Sequence, residues 1–234
     1  MTPKVKKLEN LFLFLLRASF FIPALFVFRR YLINKEINWL ETLVLVHCFS
    51  FALLNIFFSQ LIQLIGNNIY YHIYTALEFV SFSTIIYQSS TTLLSKTILL
   101  SSICIFFVYI ITIQTYYHGQ RGDSLNIGVE TIFILTNVIY FFYLRFKQVD
   151  EHYLYQDPFF WFMTGMLVYL GHTFFFNLLV NHVDNEVIKN YYHYSYIGDI
   201  IKNLLFTVGL FYLPSKKEST SRSNFFNAPN LDLI

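Results

Sequence analysis

Residues 97–117 have the sequence TILLSSICIFFVYIITIQTYY and decide the fold class of this chain. The run contains no charged residue, and the nearest charges are Lys96 before it and Arg121 after it. A helix needs about 20 consecutive apolar residues to cross a bilayer, and this run has that length. Because apolar and polar residues do not alternate, a helix is favoured over a strand of an outer-membrane barrel. The stretch therefore predicts a transmembrane helix.

Apolar runs of similar length lie on both sides of this helix and extend the prediction to an all-α, polytopic membrane bundle. Residues typical of helix ends separate these runs. Gly66 is typical of a turn, and Asp157 and Pro158 are typical of an N-cap and the first residue of a helix. The membrane domain would occupy residues 1–213, followed by a disordered cytoplasmic tail over 214–234 that is rich in Ser and Asn. Seven transmembrane helices are predicted, at about 8–28, 39–65, 69–88, 93–117, 125–148, 158–181 and 191–213.

The composition supports a membrane protein and excludes several other classes. Of the 234 residues, 56% are apolar, 21% are aromatic and only 13% are charged. Soluble domains carry roughly 25% charged residues. This difference argues against a disordered chain, a nucleic-acid-binding protein and an ordinary cytosolic enzyme. Cys48 and Cys104 lie in apolar runs without metal-ligand spacing, so both are predicted to be core side chains.

The distribution of Lys and Arg between the connections predicts the orientation. The side that would carry the N-terminus has five, and the opposite side has nine. The N-terminus is therefore predicted outside and the C-terminus inside, in the cytoplasmic (inner) membrane of a bacterium. The five are Lys4, Lys6, Lys7, Arg121 and Lys189; the nine are Arg29, Arg30, Lys35, Lys96, Arg145, Lys147, Lys216, Lys217 and Arg222.

Polar residues inside the predicted spans form the candidate binding site. A charge at mid-bilayer costs at least about 2.5–3.5 kcal/mol, so such residues usually face the bundle interior. Their helical spacing places them on one stripe of each of four spans, and these stripes could line a common cavity. Interhelical hydrogen bonding, worth about 0.6 kcal/mol on average, is the structural alternative, and it is favoured for Asn55, Asn137 and Asn177. The predicted ligand-binding residues are Tyr74, Glu78, Glu130, Tyr169, His172, Asp199 and Asn203.

Two basic residues inside the spans require separate treatment. Lys202 lies eleven residues before Leu213, about 16 Å along a helix, which is too far for its side chain to reach water. Asp199 precedes it by three residues, and the spacing predicts an ion pair of mainly structural importance. Arg17 interrupts the first span without an evident partner.

Two aromatic-rich stretches resemble a known group of proteins. Residues 70–79, YYHIYTALEF, resemble the third span of a broad, uncharacterised family of small seven-span bacterial membrane proteins, and residues 160–171, FWFMTGMLVYLG, resemble its sixth. The layout is also similar to the seven-helix membrane sensor regions of bacterial histidine kinases. No kinase or output domain follows residue 213 in this sequence, so a sensor of this kind is expected to act through a separate protein.

Several functions remain open from the sequence. The leading hypothesis is a membrane receptor or signalling accessory that binds a small ligand, a lipid or a proton within the bundle. Its expected partners are the bilayer and a separate cytoplasmic signalling protein, and no nucleic acid; the oligomeric state is not predicted. An intramembrane, metal-dependent hydrolase using His47 and His172 is the main alternative, followed by a transporter, a retinal photoreceptor built on Lys202 and a scaffold. No catalytic residue, metal ligand or cofactor is assigned.

Overall fold

The computed structural model describes residues 3–90, 92–116, 123–148, 151–180 and 192–214, which form helices joined by short connections, without a strand. Short 3-10 helices precede the last two α-helices, at Glu151–Gln156 and Tyr192–Ser195. The eight α-helices in these ranges are α1 (Pro3–Asn34), α2 (Trp39–Ile56), α3 (Phe58–Ile65), α4 (Asn67–Ser89), α5 (Leu93–Tyr116), α6 (Asp123–Gln148), α7 (Pro158–Val180) and α8 (Tyr196–Phe211).

Five helices in the described part of the chain, α1, α2, α5, α6 and α7, are long and apolar enough to cross a membrane. Their outward surfaces are apolar, as at Val108, which is 64% exposed, and Phe146, which is 65% exposed. Apolar surface of this extent requires a nonaqueous environment. The surface is that of a membrane protein. Helices α4 and α8 are not among these five. Helix α4 contains the polar residues His72 and Glu78, and α8 has only 16 residues.

The boundaries of the first two predicted spans differ from those in the structure. The first helix is longer than the predicted 8–28. It continues to Asn34 and ends where Lys35 adopts a left-handed φ of 53°. The second prediction, 39–65, divides at Phe57 into α2 and α3. Asn55 lies just before the division, and its side chain donates to the Phe51 carbonyl at 2.9 Å, a local bond that competes with regular helix.

Two other helix boundaries lie at the residues that the sequence predicts as separators. Gly66, with φ of 84°, connects α3 to α4 in a conformation that favours glycine. Asp157 caps α7, since its Oδ1 accepts a hydrogen bond from the Phe159 backbone N–H at 3.0 Å. Arg145 Nη2 pairs with Asp157 Oδ2 at 3.0 Å and joins the end of α6 to the start of α7.

The helices run up and down between two ends of the bundle. At the Arg30 end, Arg30 of α1 contacts Glu41 of α2 and the Leu210 carbonyl of α8. At the His193 end, the Phe12 ring of α1 packs on His193, with 5.3 Å between the ring centroids. Predictions for the loop around Arg121, for the side chain of Asn177, for Lys189 and for the tail from residue 215 lie outside the described part of the chain.

The core combines aromatic rings with aliphatic side chains from most of the helices. Cys48 is buried among them as predicted, whereas the prediction for Cys104 is wrong: it is exposed on α5, which packs on its neighbours with only one side. The helices α7 and α8 approach closely at Gly209, since this residue has no side chain to separate them. A Cβ at this position would lie only 3.0 Å from the Pro158 carbonyl oxygen. The largest fully buried side chains include Phe20, Phe51, Phe79, Phe82, Phe106, Phe162, Phe206 and one charged residue, Lys202.

Candidate functional site

Lys202 lies at the centre of the bundle and is fully buried on α8. Its Nζ donates to Asp199 Oδ1 at 2.8 Å, which confirms the ion pair predicted from the three-residue spacing. The same Nζ lies 3.7 Å from Glu78 Oε1, which α4 contributes. One ammonium group therefore interacts with carboxylates from two helices.

An aromatic side chain from a third helix completes this arrangement. Tyr169 of α7 places its ring centroid 3.9 Å from Lys202 Nζ, within the range of a cation–π interaction. Its hydroxyl donates to Glu78 Oε2 at 3.0 Å. Tyr169 thus contacts the cation with its ring and the anion with its hydroxyl. We refer to Glu78, Tyr169, Asp199 and Lys202 as the ionic cluster.

The charges of the ionic cluster are almost completely removed from water. The side chain of Lys202 has 0% exposure and that of Glu78 has 5%, whereas Asp199 retains 13%. Burial of an ion pair is costly, and the loss of one partner leaves an uncompensated charge in a medium of low polarity. The cluster is therefore a place where a change of charge would strongly affect helix packing.

Glu130 of α6 is a further acid close to the cluster. It is only 2% exposed, although the sequence places it near a helix start where water could have reached it. It lies within electrostatic range of both Glu78 and Lys202. Its Oε1 has no hydrogen-bond partner in the part of the chain that the structure describes. The interior thus holds three acids near one lysine.

The structure places Tyr74 beside the cluster and Asn203 against another helix. Tyr74 lies one turn before Glu78, and its ring packs edge-on against Phe51 at 4.8 Å. Asn203 follows Lys202 directly, but its Nδ2 donates to Ser19 Oγ of α1 at 2.8 Å. Asn203 therefore makes an interhelical hydrogen bond, as the structural alternative describes.

His172 lies near the His193 end, away from the other predicted site residues. Its Nε2 is 3.0 Å from the Tyr194 carbonyl oxygen, and its ring covers Gly198 so closely that a Cβ there would lie 2.9 Å from the imidazole Cδ2. Five of the seven predicted residues, Tyr74, Glu78, Glu130, Tyr169 and Asp199, are thus brought together, and His172 and Asn203 are not.

Two central residues were not predicted as site residues. Lys202 enters the predictions as the ion-pair partner of Asp199 and as the lysine of a retinal photoreceptor, and its distance from Leu213 is the signal that places it inside the bundle. His47 of α2 is 1% exposed and packs on Phe51, with 4.6 Å between ring centroids. Neither imidazole nitrogen of His47 has a hydrogen-bond partner among the residues described.

The predicted common cavity is occupied by aromatic rings at the level of the cluster. Phe82 and Phe51 lie 5.4 Å and 5.7 Å from Lys202 Nζ, measured to the ring centroids. A separate cleft of about 20 Å³, the size of a single water site, lies between α4, α5 and α6 at the Arg30 end. Ser89, Asn137 and Arg145 contribute to its lining.

Two asparagines that were expected to bond between helices bond within their own helices instead. Asn55 and Asn137 each donate to the carbonyl four residues earlier in the same helix, at 2.9 Å and 2.8 Å. These bonds satisfy the amides locally. The described contacts of these two donors therefore do not join helices.

The metal-site alternative depends on whether the histidines converge. His47 packs on Phe206, and His172 packs on Gly198. These contact positions are eight residues apart on α8, or about 12 Å. Within the described ranges, no group of three or more His, Cys, Asp or Glu side chains could hold a metal ion.

Comparison with other proteins does not assign the chain to a family. No known family, curated protein or solved structure matches it. Any function must therefore be inferred from the ionic cluster and its setting.

Proposed function

We propose that this chain is a seven-span integral membrane receptor or signalling accessory whose stimulus acts at the ionic cluster. The observation that carries the proposal is the buried ammonium of Lys202, which pairs with Asp199 at 2.8 Å and with Glu78 at 3.7 Å. A proton, a small ligand or a lipid group that competes for one carboxylate would alter the contacts between α4, α7 and α8. It would thereby shift the balance between two helix arrangements.

The proposed count of seven spans includes α4 and α8. Glu78, Asp199 and Lys202 lower the hydropathy of these helices, but all three side chains point into the bundle. Both helices pack between other helices, α4 against α5 and α6, and α8 against α1 and α7. A helix surrounded by protein can carry interior charges and still cross a bilayer.

The proposed orientation places the Arg30 end in the cytoplasm of a bacterial cell. Lys35, Lys96, Arg145 and Lys147 lie at this end, in agreement with the excess of positive charge on cytoplasmic connections. Residues after Pro214 would emerge on the same side. A separate cytoplasmic signalling protein would bind there.

Helix α8 provides a physical connection between the cluster and the proposed output end. Lys202 and Leu210 are eight residues apart on this helix, or about 12 Å. The Leu210 carbonyl accepts a hydrogen bond from Arg30 Nη1 at 3.0 Å, and the Pro214 carbonyl accepts one from Asn38 Nδ2 at 3.2 Å. A shift or rotation of α8 at the cluster would therefore strain both bonds at the Arg30 end.

Trp161 is a natural reporter for this connection. It stacks on Tyr212, with 6.2 Å between ring centroids and 5° between ring planes, next to the end of α8. The chain has only two tryptophans, so replacing Trp39 by Phe leaves a single fluorophore. In lipid nanodiscs, acidification should shift Trp161 emission, and Glu78→Gln should remove this pH dependence. Lys202→Met should shift the emission at every pH.

The matched control for Glu78→Gln is Glu36→Gln, which removes an exposed carboxylate near the Arg30 end. This control should leave the pH response unchanged. The proposal is contradicted if Trp161 emission is insensitive to pH and also unchanged in folded Glu78→Gln and Lys202→Met proteins. In that case the cluster does not communicate with the Arg30 end.

One observation favours a retinal photoreceptor as a second candidate. A protonated Schiff base needs carboxylate counter-ions, and Lys202 has two, Asp199 and Glu78. Retinal would have to displace the rings of Phe51 and Phe82 that surround Lys202 before the lysine amine could condense with its aldehyde and release water. A visible absorption band after addition of retinal, absent in Lys202→Met, would support this function; a colourless protein would reject it. The hydrolase has no suitable ligand set among the described residues, and no observation favours a transporter or scaffold.

A further inference from the structure

Arg17 is a charged residue on the outer, lipid-facing side of α1. It is exposed, and it has no ion pair or hydrogen bond within the described part of the chain. The opposite side of α1 packs into the bundle through Leu16, Phe20 and Val27, all at most 2% exposed. Among the described residues, Arg17 therefore belongs neither to the ionic cluster nor to another polar contact.

The depth of Arg17 makes its exposure costly. Along α1 it lies seven residues from Asn10 and twelve from Arg29, or about 10 Å and 18 Å. Both distances exceed the length of an arginine side chain. Ser19, two residues later, bonds Asn203 beside the ionic cluster, so Arg17 lies near mid-membrane. An arginine at this depth normally pairs with an acid or faces water.

The surface around Arg17 has the spacing of a helix-packing stripe. Phe14, Phe21 and Phe28 recur every seven residues and are 68%, 47% and 59% exposed. Leu11, Leu25 and Leu32 form a parallel row with exposures of 51%, 66% and 60%. Two rows with this spacing are suited to a neighbouring helix. We call this surface, with Arg17 at its edge, the Arg17 face.

We infer that the Arg17 face binds a transmembrane helix of a different protein, which carries an Asp or Glu at mid-membrane. Charge complementarity identifies the occupant, since an acid on the facing helix would neutralise Arg17 within the bilayer. The described part of a second copy of this chain does not provide that acid. At this depth the described acids Glu78, Glu130 and Asp199 are directed into their own bundle, and two copies related by parallel symmetry would oppose Arg17 to Arg17.

The test uses a defined probe, a fluorescent leucine-rich transmembrane peptide with a single Glu at its centre. The matched peptide has Gln at that position. Each peptide is reconstituted with the labelled full-length protein in phosphatidylcholine vesicles, and association is measured by energy transfer. We expect the Glu peptide to associate about tenfold more tightly than the Gln peptide. This preference should disappear in Arg17→Gln and persist in part in Arg17→Lys.

Each other outcome would overturn the inference. Equal association of both peptides, or none, would mean that Arg17 does not select an acidic helix. A preference that persists in Arg17→Gln would place the binding surface elsewhere. If both peptides fail to bind and anionic lipid changes the emission of a dye beside Arg17, the arginine binds lipid phosphate instead. Self-association that depends on Phe21 would identify a second copy as the occupant. Circular dichroism and thermal unfolding establish that each variant is folded.

Discussion

The described residues include two interhelical ion pairs in which a basic side chain meets a buried glutamate, and the two pairs differ in how closely the charged groups approach each other. Arg30 Nε lies 3.0 Å from Glu41 Oε1 and Arg30 Nη1 donates to the Leu210 carbonyl at 3.0 Å, while Glu41 Oε2 accepts the Asn38 backbone N–H at 2.7 Å. In the ionic cluster, Lys202 stays 3.7 Å from Glu78 Oε1, beyond hydrogen-bond distance.

The difference indicates different roles for the two pairs. The Arg30 pair joins helix ends at short distance, and a backbone hydrogen bond holds each partner in place, from Arg30 to the Leu210 carbonyl and from the Asn38 N–H to Glu41, as expected for a structural clamp. The ionic cluster lies deep in the bundle, and it includes a carboxylate oxygen that can gain a partner only if side chains move. A partly satisfied polar network in a medium of low polarity is expected to respond to a proton or a ligand.

Replacement of Lys202 by Met should have the largest effect. Removal of the ammonium leaves Asp199 and Glu78 without a counter-charge, so we expect a loss of about 3–5 kcal/mol in the free energy of unfolding. Thermal or denaturant unfolding in detergent measures this loss. The charge-neutral triple variant Lys202→Met, Glu78→Gln and Asp199→Asn should recover most of it.

The matched control for Lys202→Met is Lys96→Met. Lys96 also lies over an aromatic ring, with Nζ 5.0 Å from the centroid of Tyr87, but within the described residues it forms no ion pair with a carboxylate. Its replacement should cost less than about 1 kcal/mol. Equal losses from the two lysines would contradict the view that the carboxylates determine the energetics of the cluster.

Replacement of Arg30 by Gln should have an intermediate effect. The change removes two charge-assisted contacts, to Glu41 and to the Leu210 carbonyl, and we expect a loss of about 2–3 kcal/mol in unfolding free energy. Arg29→Gln changes an exposed neighbour and should stay within about 0.5 kcal/mol of the parent. If the Arg30 pair is a clamp and not the sensor, the Trp161 emission of Arg30→Gln should still vary with pH. Loss of that pH dependence alone would contradict the distinction.

Replacement of Tyr169 by Phe should have the smallest effect of the three. The ring remains beneath Lys202, and only the hydroxyl that donates to Glu78 is lost, so we expect a cost of about 1–2 kcal/mol. The midpoint of the Trp161 pH response should shift, because Glu78 loses its hydrogen-bond donor. Tyr143→Phe, at an exposed tyrosine of α6, should change neither quantity. A parallel change in both variants would indicate a nonspecific effect of hydroxyl removal.

The fold class follows from sequence because long apolar runs have few solutions in a bilayer. The same reasoning identifies Glu78 and Asp199 as interior groups, since charges are excluded from lipid, and the i, i+3 spacing predicts the Asp199–Lys202 pair. Local bonds also follow the pattern, as at Asp157 before α7. These features depend on neighbours in the chain or on the solvent.

Features that depend on packing between distant segments were not predictable in the same way. The contact of Lys202 with Glu78 spans the sequence from α4 to α8. The burial of Glu130, the isolation of His172 and the exposure of Cys104 depend on which face each helix turns toward its neighbours. A single sequence gives the stripe on each helix but not the rotation that brings one stripe against another.

The division of the second apolar run at Phe57 has a consequence for the fit between protein and bilayer. An unbroken helix over residues 39–65 would be about 40 Å long, whereas the hydrocarbon layer is about 30 Å thick. With 18 residues, α2 spans about 27 Å. The following α3 has no buried residue and takes up the excess chain. The break therefore removes a hydrophobic mismatch that would otherwise require strong tilting of the helix or local thickening of the lipid.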